Sequence, residues 1–154
     1  EIFKFLPYGY DERQYCSPGF NLPVGCFMRS TGARFPEYHT SADDLECVKP
    51  SSLADSYRKC MEICYVLEGN RAFRNLLPNG EPQLGKRGLY GAMGGLAGGG
   101  REKELLLLWA LNLSDGSHTL LDIAERSGLQ FRQVRHAADL LLEHGLLEEV
   151  EGAT

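Results

Sequence analysis

Thr119-Leu120-Leu121-Asp122-Ile123-Ala124-Glu125-Arg126-Ser127-Gly128-Leu129-Gln130-Phe131-Arg132-Gln133-Val134 says more about the fold than any other stretch of this 154-residue chain. Thr119 followed three residues later by Asp122 is a helix-entry signal. The hydroxyl accepts from a backbone N–H that has no partner in the first turn, and the carboxylate reaches back to the entering residue. Gly128 supplies the left-handed backbone on which helices end, so a helix is predicted over 120–127. A longer helix follows over 130–144, stopped by Gly145, with Phe131, Val134, Ala138, Leu141 and Leu142 at three- and four-residue spacing on its packing face. Working outward, 104–111 predicts an apolar helix before this pair and 146–150 a short strand after it.

Helix, short helix, tight turn, longer helix and strand is the order of a winged helix-turn-helix, and Ile123 to Leu129 with Val134 resembles its turn. The wing is expected to be cut down to one strand. Arg132, Gln133, Arg135 and His136 sit where such a domain addresses a DNA groove. The charge opposes that use: residues 101–154 hold five Lys/Arg against ten Asp/Glu, so the whole net charge of −5 lies in this tail, while 1–100 balance. Nucleic acid is therefore not an expected partner. Docking onto a neighbouring domain, or a homo-oligomer formed through this tail, is expected instead.

Before the tail, residues 91–100 are almost all glycine and alanine and predict a linker. The expected domains are thus 1–90, the linker 91–100, and the tail 101–154. In the first domain, 3–6 and 22–28 read as strands. A core-facing helix is expected from a Ser51 or Ser52 cap to about residue 67, with Leu53, Tyr57, Cys60, Met61 and Cys64 on its inner face. Strands separated by polar loops and closed by a long helix suit the last edge of an α/β sheet covered by helices. The longest apolar run, 105–111, is too short to cross a bilayer. Five cysteines at irregular spacing fit reduced thiols in a cytoplasmic protein, and Glu1 without an initiator Met reads as the interior of a longer chain.

Polar chemistry concentrates in two loops, Asp11-Glu12-Arg13-Gln14-Tyr15 and Glu37-Tyr38-His39-Thr40-Ser41-Ala42-Asp43-Asp44. An imidazole beside a phenol, with carboxylates four and five residues on, offers a metal ligand in a turn that an Asp can hold. The same residues also suit a surface turn with a capping aspartate.

The segment His39-Thr40-Ser41-Ala42-Asp43 resembles the His-Thr-x-x-Asp motif that closes the active site in zinc aminopeptidases and the related glutaminyl cyclases. Upstream, Gly9 to Tyr15 followed by Gly19 to Val24 resembles that group's Ser-Asp-His-x-x-Phe and Gly-Ile-Pro pair. With Pro82 to Tyr90 added, the whole chain is similar to a bacterial aminopeptidase-like family with a C-terminal winged helix. The resemblance implies the edge of a three-layer α/β hydrolase domain followed by the small winged unit. It implies His39 as a ligand of one zinc ion and Tyr38 as a hydrogen-bond donor to the substrate carbonyl. Asp11, with Glu12 and Arg13, would line the pocket for a peptide or small amide substrate, and Asp43 would support the His39 loop. The second His, the bridging Asp, the further carboxylate and the catalytic Glu of that family are not in these 154 residues. The isolated chain is accordingly expected to be inactive and metal-free. A protein that keeps the peptidase fold for interaction, or a winged-helix regulator, are the alternatives.

Overall fold

In the computed structural model of the chain, residues 2–31, 34–89 and 100–150 are described. They divide into two units, Glu1–Arg58 and Lys59–Thr154. The expected linker, 91–100, lies outside the described residues except for Gly100, where a helix begins.

The described residues of the first unit form turns and helix alone. Helix α1, Glu12–Tyr15, is a single turn. Helix α2, Pro50–Gly69, starts at a proline whose fixed φ suits the first helical position, so Ser51 and Ser52 lie inside the helix rather than capping it. The expected strands at 3–6 and 22–28 are absent. Both segments are unpaired among the described residues, and Phe5, Leu6, Leu22 and Phe27 are exposed. A strand needs a neighbour for its N–H and C=O groups, and an apolar run cannot tell whether one is present. No described residue from 2 to 58 is buried. Short polar ties hold the unit locally: Arg29 pairs with Asp55 at 2.7 Å, and the Cys16 thiol donates to the Leu22 and Val24 carbonyls at 3.2 and 3.3 Å. All five cysteines are free.

The apolar stripe of α2 is also turned outward. Leu53, Tyr57 and Met61 are 59%, 66% and 50% exposed, and Cys60 and Cys64 are exposed with them. These residues were expected to face a core. The amphipathic spacing is real, but no described residue covers the stripe.

The second unit is mixed α/β. Strand β1 is Ala72–Asn75, a 3-10 turn covers Leu84–Arg87, and helix α3 is Gly100–Leu113. Strand β2, Asp115–Thr119, leads into α4, Leu120–Ser127; α5, Phe131–Glu143, leads into β3, Leu147–Glu149. The sheet order is β2-β1-β3, and both pairings are antiparallel. The boundary expected at 91–100 leaves residues 72–89 in the first domain, yet β1 is the central strand here. Phe73, Leu84 and Leu89 are buried in one core with Leu107 of α3, Ile123 of α4 and Leu141 of α5. The wing is thus a full three-stranded sheet whose middle strand comes from upstream. Leu142, expected on the packing face of α5, is 41% exposed.

The helix-entry signal at Thr119 forms as its residues dictate. Thr119 N–H donates to the Asp122 carboxylate at 2.7 Å, and the Thr119 hydroxyl accepts from Asp122 N–H at 3.3 Å. The Thr119 hydroxyl and backbone N–H hold the Asp122 carboxyl below its ordinary value. Gly128 closes α4 at φ 70°. Thr119→Ala removes one half of this reciprocal pair and is expected to cost about 1 kcal/mol. A urea midpoint lowered at unchanged slope checks it; an unchanged midpoint would show that the cap is idle.

No helix among the described residues is long and apolar enough to cross a membrane.

Candidate functional site

His39 stands on a run of turns. Tyr38 N–H donates to the Phe35 carbonyl at 3.3 Å and Thr40 N–H to the Glu37 carbonyl at 3.0 Å. The Thr40 hydroxyl donates to the same Glu37 carbonyl at 2.8 Å and accepts from Ala42 N–H at 3.2 Å. This two-sided clamp holds His39 at φ 58°, a left-handed conformation uncommon for a residue with a Cβ. Support for the His39 turn therefore comes from Thr40. The Asp43 carboxylate, expected in that role, makes no hydrogen bond among the described residues; its neighbour Asp44 accepts from Glu46 N–H and Cys47 N–H at 2.9 and 3.3 Å.

Aromatic contacts then fix the side chains. The Tyr38 and His39 rings stack with centroids 3.9 Å apart and planes 16° from parallel, and Phe35 meets Tyr38 edge-on at 5.4 Å. The Tyr38 and Tyr10 hydroxyls share a hydrogen bond of 2.5 Å. That bond, with the repulsion between two phenolates, raises the Tyr10 pKa above its ordinary value.

Tyr10 is itself anchored: its N–H donates to both Glu12 carboxylate oxygens at 3.1 Å. A Cβ at Gly9 would displace that carboxylate, so the glycine leaves room for this contact. Of the residues expected to meet substrate, Glu12 is thus engaged locally. Asp11 opens α1 through its carbonyl, which accepts from Gln14 and Tyr15 N–H at 2.9 and 3.1 Å, and its carboxylate caps nothing. Arg13 lies within α1. Sequence reasoning missed Tyr10 and Thr40. A threonine directly after a ligand-type His in a turn is a usable signal for the second, whereas nothing local marks Tyr10, 28 residues from its partner.

Among the described residues no group of three or more His, Cys, Asp or Glu is placed to hold a metal ion. A zinc site wants at least three protein ligands, so these residues by themselves do not fit the zinc that the aminopeptidase resemblance implies.

In the second unit, two of the four α5 residues expected at a DNA groove contact α2. The Arg132 and Arg135 guanidinium carbons of α5 each lie 4.8 Å from the centroid of Tyr65 of α2, and Phe131 meets the same ring edge-on at 6.0 Å. A Cβ at Gly69 would fall on the Arg135 guanidinium, so the last residue of α2 leaves room for it. Two cations on one phenol ring tie the helix-turn-helix to the end of α2.

Residues 71–149 match the family model described as winged helix-turn-helix. The chain belongs to the winged helix-turn-helix family. The winged unit so defined begins at Arg71, immediately before β1, in agreement with the pairing of that strand. Residues 1–70 match a model described as a domain of unknown function (DUF4910). The chain is also similar to a protein of Clostridium acetobutylicum provisionally named a polysaccharide biosynthesis protein with aminopeptidase-like domain. The two are 50% identical over 152 residues, covering 97% of this chain and 34% of the relative. A crystal structure of a protein from the same organism, provisionally described as a peptidase, superposes with a TM-score of 0.82 at 46% identity. That match covers 95% of this chain and 31% of the other. The winged helix-turn-helix chain thus spans about a third of the length of these relatives.

Proposed function

We propose that this chain is one part of an aminopeptidase-like hydrolase acting on a peptide or small amide. On this reading His39 supplies one imidazole ligand to a zinc ion whose other ligands lie outside these 154 residues, and Tyr38 donates its hydroxyl to the substrate carbonyl. The observation that carries the reading is the His39 turn. A histidine is kept at φ 58°, stacked on a tyrosine whose hydroxyl is held by Tyr10, in a unit none of whose described residues is buried. Strain of this kind, at about 1–3 kcal/mol, persists where the surroundings enforce it and marks functional turns. The aminopeptidase-like and peptidase names of the relatives support the same class.

The exposed α2 stripe fits a larger domain of three-layer α/β type, in which the stripe is an inner face. Within it the winged unit packs rather than reads a groove, a role favoured by Arg132 and Arg135 being stacked on Tyr65.

The test is release of N-terminal residues from leucine p-nitroanilide and short peptides by the full-length protein that contains this chain. His39→Ala is expected to bring turnover to background. Turnover that survives the substitution would sink the assignment of His39 and favour a peptidase fold retained for interaction.

A further inference from the structure

Helix α2 carries apolar side chains on two faces. Tyr65 takes Arg132 and Arg135 of α5 on its ring, and Gly69, one turn on, leaves room for Arg135. A second row, Leu53, Tyr57, Cys60, Cys64 and Leu67, follows at spacings of four, three, four and three residues. At 3.6 residues per turn that row keeps to one side of the helix, centred roughly 120° around the axis from Tyr65. All five side chains are exposed, Leu67 at 71%. A helix that is apolar on more than one face is a helix packed on more than one face.

The charges in the middle of the helix are matched elsewhere. Asp55 pairs with Arg29 at 2.7 Å and with Arg58 at 3.7 Å, and Lys59 pairs with Glu62 at 3.0 Å, so these four need no counter-charge on a covering surface. Anionic membranes and nucleic acids hold helices through unpaired Lys and Arg beside the contact face. The surface that suits this row is uncharged protein. Length says where that protein comes from. The matched stretch takes in 97% and 95% of this chain but only 34% and 31% of the two relatives, so most of each relative is polypeptide outside the match.

We infer that α2 is a shared helix. The winged unit holds it at Tyr65, and polypeptide of the same protein outside these 154 residues covers Leu53, Tyr57, Cys60, Cys64 and Leu67 with an uncharged apolar surface. The shared helix rests on the reading of the chain as part of a larger domain, and on neither its zinc nor its substrate. Burial of this row is then what fastens the winged unit to that domain.

Cys60 and Cys64 are free thiols in the row and report on its cover. The 154-residue protein and the full-length protein that contains it are pulsed with N-ethylmaleimide, and labelling of the two thiols is read by peptide mass mapping. Both are expected to label freely in the 154-residue protein and about a hundredfold more slowly in the full-length protein, where labelling waits for local opening. Leu67→Glu is expected to restore fast labelling in the full-length protein. It should leave the urea midpoint of the 154-residue protein unchanged, because Leu67 is exposed there. Equal labelling of the two wild-type proteins, or slow labelling undisturbed by Leu67→Glu, overturns the shared helix. So does protection in the 154-residue protein with a doubled mass in light scattering, which makes a second copy the occupant, or with sedimentation on phosphatidylglycerol vesicles, which makes it a membrane. Turnover separates the two readings: peptide turnover with both thiols open overturns the shared helix alone, and protected thiols without turnover overturn the peptidase alone.

Discussion

A chain beginning at Arg101 is expected not to fold cooperatively, although it contains every helix of the helix-turn-helix. In the sheet order β2-β1-β3 the two outer strands never touch each other, so removing Ala72–Asn75 leaves both without a partner. The cut also removes Phe73, Leu84 and Leu89 from the buried core. Each such side chain contributes about 1.5–3 kcal/mol by its burial. Three of them, with a strand's hydrogen bonds, consume most of the roughly 5–15 kcal/mol that a small domain has. The comparison is urea unfolding of 101–154 against 59–154, followed by circular dichroism. The longer piece should show a sigmoidal transition and the shorter none. A cooperative transition in 101–154 would show that β1 decorates the winged unit rather than completing it.

The second large effect concerns Tyr38. If its hydroxyl donates to the oxygen on which charge develops, Tyr38→Phe in the full-length protein should lower kcat by about 10²–10³ with KM little changed, the pattern of a donor used in the transition state. Tyr10→Phe removes the partner that orients Tyr38 but leaves the phenol. Its effect should be about tenfold on kcat, the worth of one neutral hydrogen bond. A rise in KM at constant kcat for Tyr38→Phe would instead make Tyr38 a binding contact. An equal loss in both variants would mean that the two phenols act as one unit.

The parts of this fold that were legible in the sequence are those decided within one turn of chain. Thr119, Asp122 and Gly128 set both ends of α4, and Gln130 and His144 flank α5 within a residue of expectation, because caps and left-handed glycines satisfy groups close by. Strand β1 was not legible. Ala72-Phe73-Arg74-Asn75 has no strand signature of its own, and its partners lie more than forty residues away. Strand β2 is disguised by composition: Asp115-Gly116-Ser117-His118-Thr119 holds poor strand formers, and it is set up by the Asp115 carboxylate, which accepts from the Ser117 and His118 N–H groups at 2.8 and 3.1 Å. For 22–28 and the α2 stripe the apolar pattern was read correctly and its surroundings were not, since periodicity reports which face is apolar and not what covers it. At the site, Tyr38 and His39 were visible as a motif. Their clamp, Thr40, and their partner, Tyr10, depend on turn geometry and on a contact distant in sequence.

Ligation by His39 is tested by the zinc content of the full-length protein, purified in parallel with its His39→Ala form and analysed after dialysis against metal-free buffer. Zinc is expected to be retained by the parent and reduced in the variant, with peptide turnover lost in the same step. Equal zinc in the two proteins, or a parent that takes up none when supplied with it, would contradict the assignment of His39 as a metal ligand.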